Sequence, residues 1–472
     1  MRVSGKGLIN REKILNFKFD GRSYTGFEGD TVASALLASG KKLFGRSFKY
    51  HRPRGVLTAG SEEPNALITV GQGAFQDPNI RATTQEIFEG LVTKSQNNWP
   101  NLQYDILSIN DLFSNFLGAG FYYKTFMWPK SFWEKIYEPF IRRAAGLGAL
   151  SGLHNSDTYE KAYAFCDLLI IGGGPSGLIA AKIAAEAGLD VILAEQEPIF
   201  GGRLNSETEK VDGISGSDWA VKIIEELKEL DNVRLFLRTT VTGVYDQGTF
   251  AAVERVGHHL PDRGNDRPLE CFWRIVAKNS ILAAGAIERA IAFPNNDRPG
   301  IMAASAVRTY LNRFGVSPGR SIALFCNNNT AHNTAKDLLE SGINIAAIID
   351  SREDSKTDLD VPFYNGAEVS NTFGRKGLKS INVKKNNMES KIEVDCLAVS
   401  GGWNPTLHLT CHMNGRPTWD EKILSFVPKI GAIPNMAVVG AANGFMDTHS
   451  CFMSAEKEVS RILKSSGKTA KT

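Results

Sequence analysis

Between Cys166 and Ala187 the chain carries a pattern that few folds can accept. Cys166-Asp167-Leu168-Leu169-Ile170-Ile171 is an apolar run of strand length. It passes directly into Gly172-Gly173-Gly174-Pro175-Ser176-Gly177 and then an Ala-rich segment, Leu178 to Ala187. A strand, closely set glycines and a helix in this order open a dinucleotide-binding βαβ unit. Gly172 makes the tight turn, Gly174 admits a pyrophosphate against the backbone, and Gly177 lets the helix close on the strand. Pro175 and Ser176 begin the helix, whose free N–H groups and positive dipole end favour phosphate. A second apolar strand, Asp190 to Ala194, ends at Glu195, eighteen residues beyond Gly177. An acid there accepts the adenosine ribose hydroxyls and disfavours a 2′-phosphate, so FAD or NAD is expected in preference to NADP.

Later segments extend the site. Phe200-Gly201-Gly202-Arg203-Leu204 follows the acid, as in the two-dinucleotide flavoproteins, and brings Gly202 and Arg203 into the expected set. Ser280 to Ala286 is an apolar strand ending in a small-residue turn at Ala284 and Gly285, similar to the ATG-type element of those proteins. Ala437 to Gly444 is similar to their returning strand and adds Gly440 and Asn443, with Asn443 in place of the acid that usually holds a flavin's ribityl chain. Between these lies a second strand–helix–strand unit: Ser321 to Phe325, Thr330 to Ser341, and Ile343 to Ile349 ending at Asp350. Its turn, Cys326-Asn327-Asn328-Asn329-Thr330-Ala331, has no glycine. Asparagine tolerates left-handed backbone, so the turn can form, but close approach of a pyrophosphate is not expected. One filled and one vestigial nucleotide site follow.

The N-terminal part is of another kind. Leu15 to Tyr24 reads as a hairpin about Asp20-Gly21, a helix from Val32 to Ser39 is capped by Asp30 or Thr31, and Ala66 to Val70 is a closing strand. Hairpin, helix and return strand suggest a β-grasp, the frame of plant-type ferredoxins. Those hold their cluster on four cysteines, and residues 1–165 contain none. Residues 96–160 are rich in aromatics, among them Phe121, Tyr122, Tyr123, Phe126, Trp128 and Trp133, and read as a connector or a subunit interface.

Composition excludes several classes of function. The net charge is +3, which gives no case for nucleic acid, although residues 1–54 hold twelve Lys/Arg against four Asp/Glu. No apolar run approaches the ~20 residues of a membrane helix, and the start MRVSGKGLINREK has no apolar core of a secretory signal. The six cysteines lie fifteen or more residues apart, so a zinc ribbon is not expected and a cytoplasmic location is. His408, Cys411 and His412 read as helix packing, and no metal ligands are expected.

Longer strings carry a more specific resemblance: Gly45 to Gly55 (GRSFKYHRPRG), Ser61 to Ala66 (SEEPNA), Gly120 to Phe126 (GFYYKTF), Tyr137 to Gly146 (YEPFIRRAAG) and Ser400 to Pro405 (SGGWNP). Over nearly its whole length the chain resembles the α subunits of heterotetrameric sarcosine oxidases. That resemblance implies a cluster-less, ferredoxin-like N-terminal domain joined to a two-dinucleotide fold that holds NAD. It also implies a partner β subunit bearing FAD and covalent FMN, together with further small subunits. The family oxidatively demethylates sarcosine to glycine, a one-carbon unit and hydrogen peroxide. Its α subunits continue into an aminomethyltransferase-like half that binds tetrahydrofolate; this sequence ends at Thr472, and so is expected to be a fragment, a split gene product or a member whose folate half is absent.

The expected architecture is α/β: a β-grasp domain (1–95), an aromatic connector (96–160), a first dinucleotide domain (161–312), a degenerate second Rossmann unit (313–395), a return to the first domain (396–460) and a flexible tail (461–472). Two further functions stay open, a self-contained FAD-dependent oxidoreductase and an assembly scaffold for flavin subunits. No catalytic side chain is identified from the sequence.

Overall fold

The computed structural model describes residues 1–262 and 266–469. The chain forms two compact units: Met1–Ser156 with Ala290–Gly401, and Asp157–Arg289 with Gly402–Thr472.

In the first unit, strands Asn10–Phe19 and Arg22–Glu28 pair antiparallel about Asp20 and Gly21, both at positive φ, as a two-residue hairpin turn demands. Phe17 and Phe19 alternate into the core. Thr31 caps the helix Val32–Ala38 in a reciprocal box with Ser34. Strand Leu91–Ser95 runs parallel to the first strand and antiparallel to Leu67–Val70, which also pairs with Asp77–Arg81, completing a five-stranded β-grasp sheet. The same unit contains a parallel sheet in the order Ile301–Ala303, Cys396–Ser400, Ser321–Cys326, Asn344–Asp350, Phe363–Asn365. One continuous apolar core joins the two, running from Phe17 and Phe44 to Tyr310, Phe314 and Leu324.

The second unit is built on a seven-stranded sheet. Val233–Phe236, Val191–Ala194, Tyr159–Ile171 and Glu270–Leu282 are neighbours in parallel, with Met436–Val438 beside the end of the last. Leu168, Leu169 and Ile170 are fully buried, as expected of a parallel strand covered on both faces. Helices Pro175–Glu186, Gly216–Lys228 and Thr448–Ser465 contribute to its core. Among the described residues, no helix is long and apolar enough to cross a membrane.

Several expectations are corrected. The expected first dinucleotide domain ran to residue 312, yet the segment grouped away from it is Ala290–Gly401: strand Ile301–Ala303 pairs with Cys396–Ser400 of the inserted sheet. The first strand begins at Tyr159. Its outer half, Tyr159 to Phe165, is largely exposed and includes Glu160 and Lys161, so it lies outside the continuous apolar run that marks the strand in the sequence. The tail is not flexible from residue 461, because helix Thr448–Ser465 continues into it and buries Ile462 and Leu463; residues 470–472 of the expected tail lie outside the described residues. The Asn-rich turn forms without left-handed backbone, since none of Asn327, Asn328 and Asn329 takes a positive φ.

Candidate functional site

The dinucleotide cradle is assembled from the strand ends of the second unit. Gly172 turns out of its strand at φ +105°, where an added Cβ would collide with the Ala283 carbonyl. At Gly177 a Cβ would overlap the Gly172 carbonyl oxygen, so helix and turn touch backbone to backbone. Gly174 differs: its backbone is extended, and an added Cβ would meet only Gly202 Cα, at 3.9 Å. Protein packing therefore does not exclude a side chain there, and the open volume above Gly174 suits a ligand lying against the main chain. Helix Pro175–Glu186 starts at this point with Pro175 in its first turn and no side chain capping it, which leaves its first-turn N–H groups for an anion.

Glu195 follows strand Val191–Ala194 and is buried. Its carboxylate accepts the Gly173 N–H at 2.7 Å through Oε2 and the Glu197 N–H at 2.9 Å through Oε1. Both bonds fix the acid beside the glycine turn while leaving lone pairs for ribose hydroxyls. Gly202, at φ +53°, brings the next turn against Gly174. Arg203 spans to the returning segment, donating to the Met446 carbonyl and to Thr448 Oγ1, the latter at 2.8 Å. Gly440 donates its N–H to Ser454 Oγ at 2.8 Å, and at φ +63° it lies too close to Ser176 to carry a side chain. Ala284 and Gly285 follow strand Glu270–Leu282, with Ala283 bonded to the Ile171 carbonyl. Half-buried Asn443 closes the short helical turn Gly440–Asn443. All twelve expected positions thus belong to one unit, and the turn, the acid and the Arg203 tie are directly bonded or in contact. Asp447 caps the last helix by accepting the Ser450 N–H.

The second turn is chemically different. Asn328 Nδ2 donates to the Ser400 carbonyl and hydroxyl, and Thr330 Oγ1 donates to Asn328 Oδ1, so side-chain bonds brace this turn. Asp350, at the position matching Glu195, accepts the Arg352 N–H and is clasped by the Arg352 guanidinium at 2.7 and 3.0 Å. Burial pushes the Asp350 carboxyl upward, but the Arg352 bonds outweigh it and hold it below its usual range. Burial and Asp350 raise the adjoining Cys326 thiol to about 12.

Residues 12–98 match the family described as a 2Fe-2S iron-sulfur cluster binding domain, and residues 167–229 match the FAD dependent oxidoreductases. The first description implies four thiolates; with no cysteine in 12–98, the donor set does not fit a cluster. The chain is similar to "Sarcosine oxidase subunit alpha" of Rhizobium meliloti (strain 1021), 47% identical over 99% of this chain and 47% of that protein. It is also similar to the α subunit of Corynebacterium sp. (strain U-96), 35% identical over 94% of this chain and 43% of that protein. The chain thus spans about half the length of the curated relatives it matches. Its fold is that of L-proline dehydrogenase from P. horikoshii, at TM-score 0.68 and 20% identity, covering 100% of this chain and 77% of that one.

Proposed function

We propose that this chain is the dinucleotide-binding α component of a sarcosine-oxidase-like flavoenzyme, retaining NAD in the Gly172–Gly177 cradle. The observation that carries this reading is 47% identity across 99% of the chain to a sarcosine oxidase α subunit, in a sequence whose cradle is open at Gly174. On this reading the assembled complex oxidatively demethylates sarcosine to glycine, a one-carbon unit and hydrogen peroxide. FAD and FMN belong to a partner β subunit, and the isolated chain turns nothing over. The β-grasp domain serves without a cluster, as its lack of cysteine supports. The aromatic segment 96–156, with Phe116 81% and Trp128 83% exposed, is suited to partner contact. A cytoplasmic location is supported by six free cysteines.

The residues of the chain bind and orient. Glu195 accepts the adenosine ribose hydroxyls, the N–H groups at the start of helix Pro175–Glu186 take the pyrophosphate, and Gly174 and Gly202 keep side chains out of its path. Arg203, through Met446 and Thr448, holds the returning segment that carries Gly440 and Asn443. When bound, a nicotinamide dinucleotide supplies a hydride-accepting ring and stabilises the native state by mass action.

A second reading, favoured by the match of residues 167–229 to FAD-dependent oxidoreductases, gives the same cradle to FAD. Mass spectrometry of nucleotides released on denaturation, with the visible spectrum of the native chain, separates the two. NAD without flavin absorbance supports the first; FAD in a yellow chain supports the second. Release of neither from wild-type protein, or full retention by a Gly174→Val variant, removes the site assignment.

A further inference from the structure

Cys326, His332 and Asp350 come from three places in the sequence and meet at the carboxyl ends of two parallel strands. Cys326 ends strand Ser321–Cys326, Asp350 ends Asn344–Asp350, and His332 stands in the first turn of helix Thr330–Glu340. Cys326 Sγ lies 3.7 Å and His332 Nε2 3.6 Å from the same atom, Asp350 Oδ2, and the three ligand atoms all lie within 4.8 Å of one another. A tetrahedral zinc ion bound through sulfur, nitrogen and oxygen sets its ligand atoms about 3.4–3.8 Å apart. The two measured separations are therefore edges of such a polyhedron. The Cys326 thiol donates to Asp350 Oδ2, but the His332 contact is too long for a good hydrogen bond, and buried His332 Nε2 finds no hydrogen-bond partner among the described residues. A ring nitrogen facing a carboxylate and a thiol at these distances matches the donor spacing of a small cation.

We propose that Cys326, His332 and Asp350 form a zinc site with an open fourth position. Arg352 also holds Asp350, through Nε on Oδ1 and Nη2 on Oδ2. An ionised carboxylate offers about four lone-pair sites, so Oδ2 can accept the guanidinium on one side and the ion on the other. The mixed thiolate, imidazole and carboxylate set suits Zn²⁺ over Mg²⁺ or Ca²⁺. Binding replaces the Cys326 thiol proton, which leaves to water, one per ion. The ion occupies the end of the second Rossmann unit where the ribose of a second nucleotide would otherwise be received. The site rests on no assumption about the nucleotide held by the first unit.

The full chain, stripped with a chelator and titrated with Co²⁺ as a spectroscopic probe, should take up one equivalent, with a thiolate-to-cobalt charge-transfer band and intense tetrahedral visible bands that Zn²⁺ then abolishes. Cys326→Ser should lose the charge-transfer band and His332→Ala should weaken binding at least tenfold, whereas Cys411→Ser, at the exposed cysteine, should change neither. Because Cys326 is buried and its variant can lose the fold, the His332→Ala result is taken alongside a urea melt showing that it remains native. No binding, an octahedral spectrum without charge transfer, or an unchanged spectrum in His332→Ala overturns the site.

Discussion

Both units of this molecule contain a strand–turn–helix followed by an acid at the end of the next strand, and the two have diverged in opposite directions. In one, the turn is Gly172 to Gly177, the helix starts uncapped, and Glu195 is held by the backbone N–H groups of Gly173 and Glu197. In the other, Asn328 and Thr330 side chains fill the turn, and Asp350 is matched by the full charge of Arg352. Main-chain donors orient the Glu195 carboxylate beside the glycine turn. At Asp350 a guanidinium supplies a compensating charge and bonds each oxygen once. The same topology therefore becomes a cradle or a closed end according to whether the groups inside the turn are absent or present.

The largest expected effect separates packing from binding within the first turn. Gly177→Ala drives a methyl into the Gly172 carbonyl and should destabilise the fold by about 3 kcal/mol, read as a lowered urea midpoint. Gly174→Val, at the open position, should leave the midpoint of the nucleotide-free protein nearly unchanged and abolish nucleotide retention. Equal destabilisation by the two would show that Gly174 is also a packing glycine, and the contrast would be lost.

Next comes the acid. Glu195→Gln keeps the shape and removes the charge that favours ribose hydroxyls, and should weaken nucleotide binding roughly tenfold, about 1.4 kcal/mol. Asp350→Asn should leave nucleotide retention unaltered. Calorimetric titration of both variants decides whether the two acids differ in function as they do in partners.

The smallest effect concerns pH. Asp167 accepts the Asp190 N–H and pairs with Lys278 at 2.8 Å; Asp395 accepts the N–H groups of Arg320 and Ser321 and pairs with Lys42 at 3.0 Å. The Lys278 bond lowers Asp167, while at Asp395 burial acts upward and the Ser321 and Lys42 interactions outweigh it, so both carboxyls titrate below their ordinary range. A carboxyl with a depressed folded pKa stabilises above its unfolded value of ~3.9 and loses that contribution as pH falls through the folded value. Asp395→Asn should therefore cost about 1 kcal/mol near neutrality, and the difference from wild type should shrink progressively below about pH 4. Asp167→Asn, whose lysine is exposed, should show a smaller change of the same sign. Urea melts across this range measure both.

Much of the arrangement was written locally in the chain. Asp20-Gly21 requires a hairpin because both residues take positive φ, and in the glycine turn Gly172 and Gly177 exclude a side chain by backbone contact while Gly174 leaves open space. Such features depend on residues within a few positions of one another, and the spacing exposes them. Conformation of the second turn was less legible: asparagine suggested left-handed backbone, but side-chain bonds to Ser400, seventy-two residues away, hold it otherwise.

Other features came only with the folded chain. That residues 290–312 side with the inserted sheet depends on the pairing of Ile301–Ala303 with Cys396–Ser400, a contact across nearly a hundred residues that no local pattern encodes. Arg203 reaching Met446 and Thr448, and the meeting of Cys326, His332 and Asp350, likewise join residues that adjacent strand ends bring together. The sequence alone determined which turn is glycine-lined and which carries polar side chains, because backbone sterics and side-chain chemistry act at short range. Which groups those turns face was decided by the tertiary structure, because parallel strands paired through long crossovers set their ends beside one another irrespective of separation along the chain.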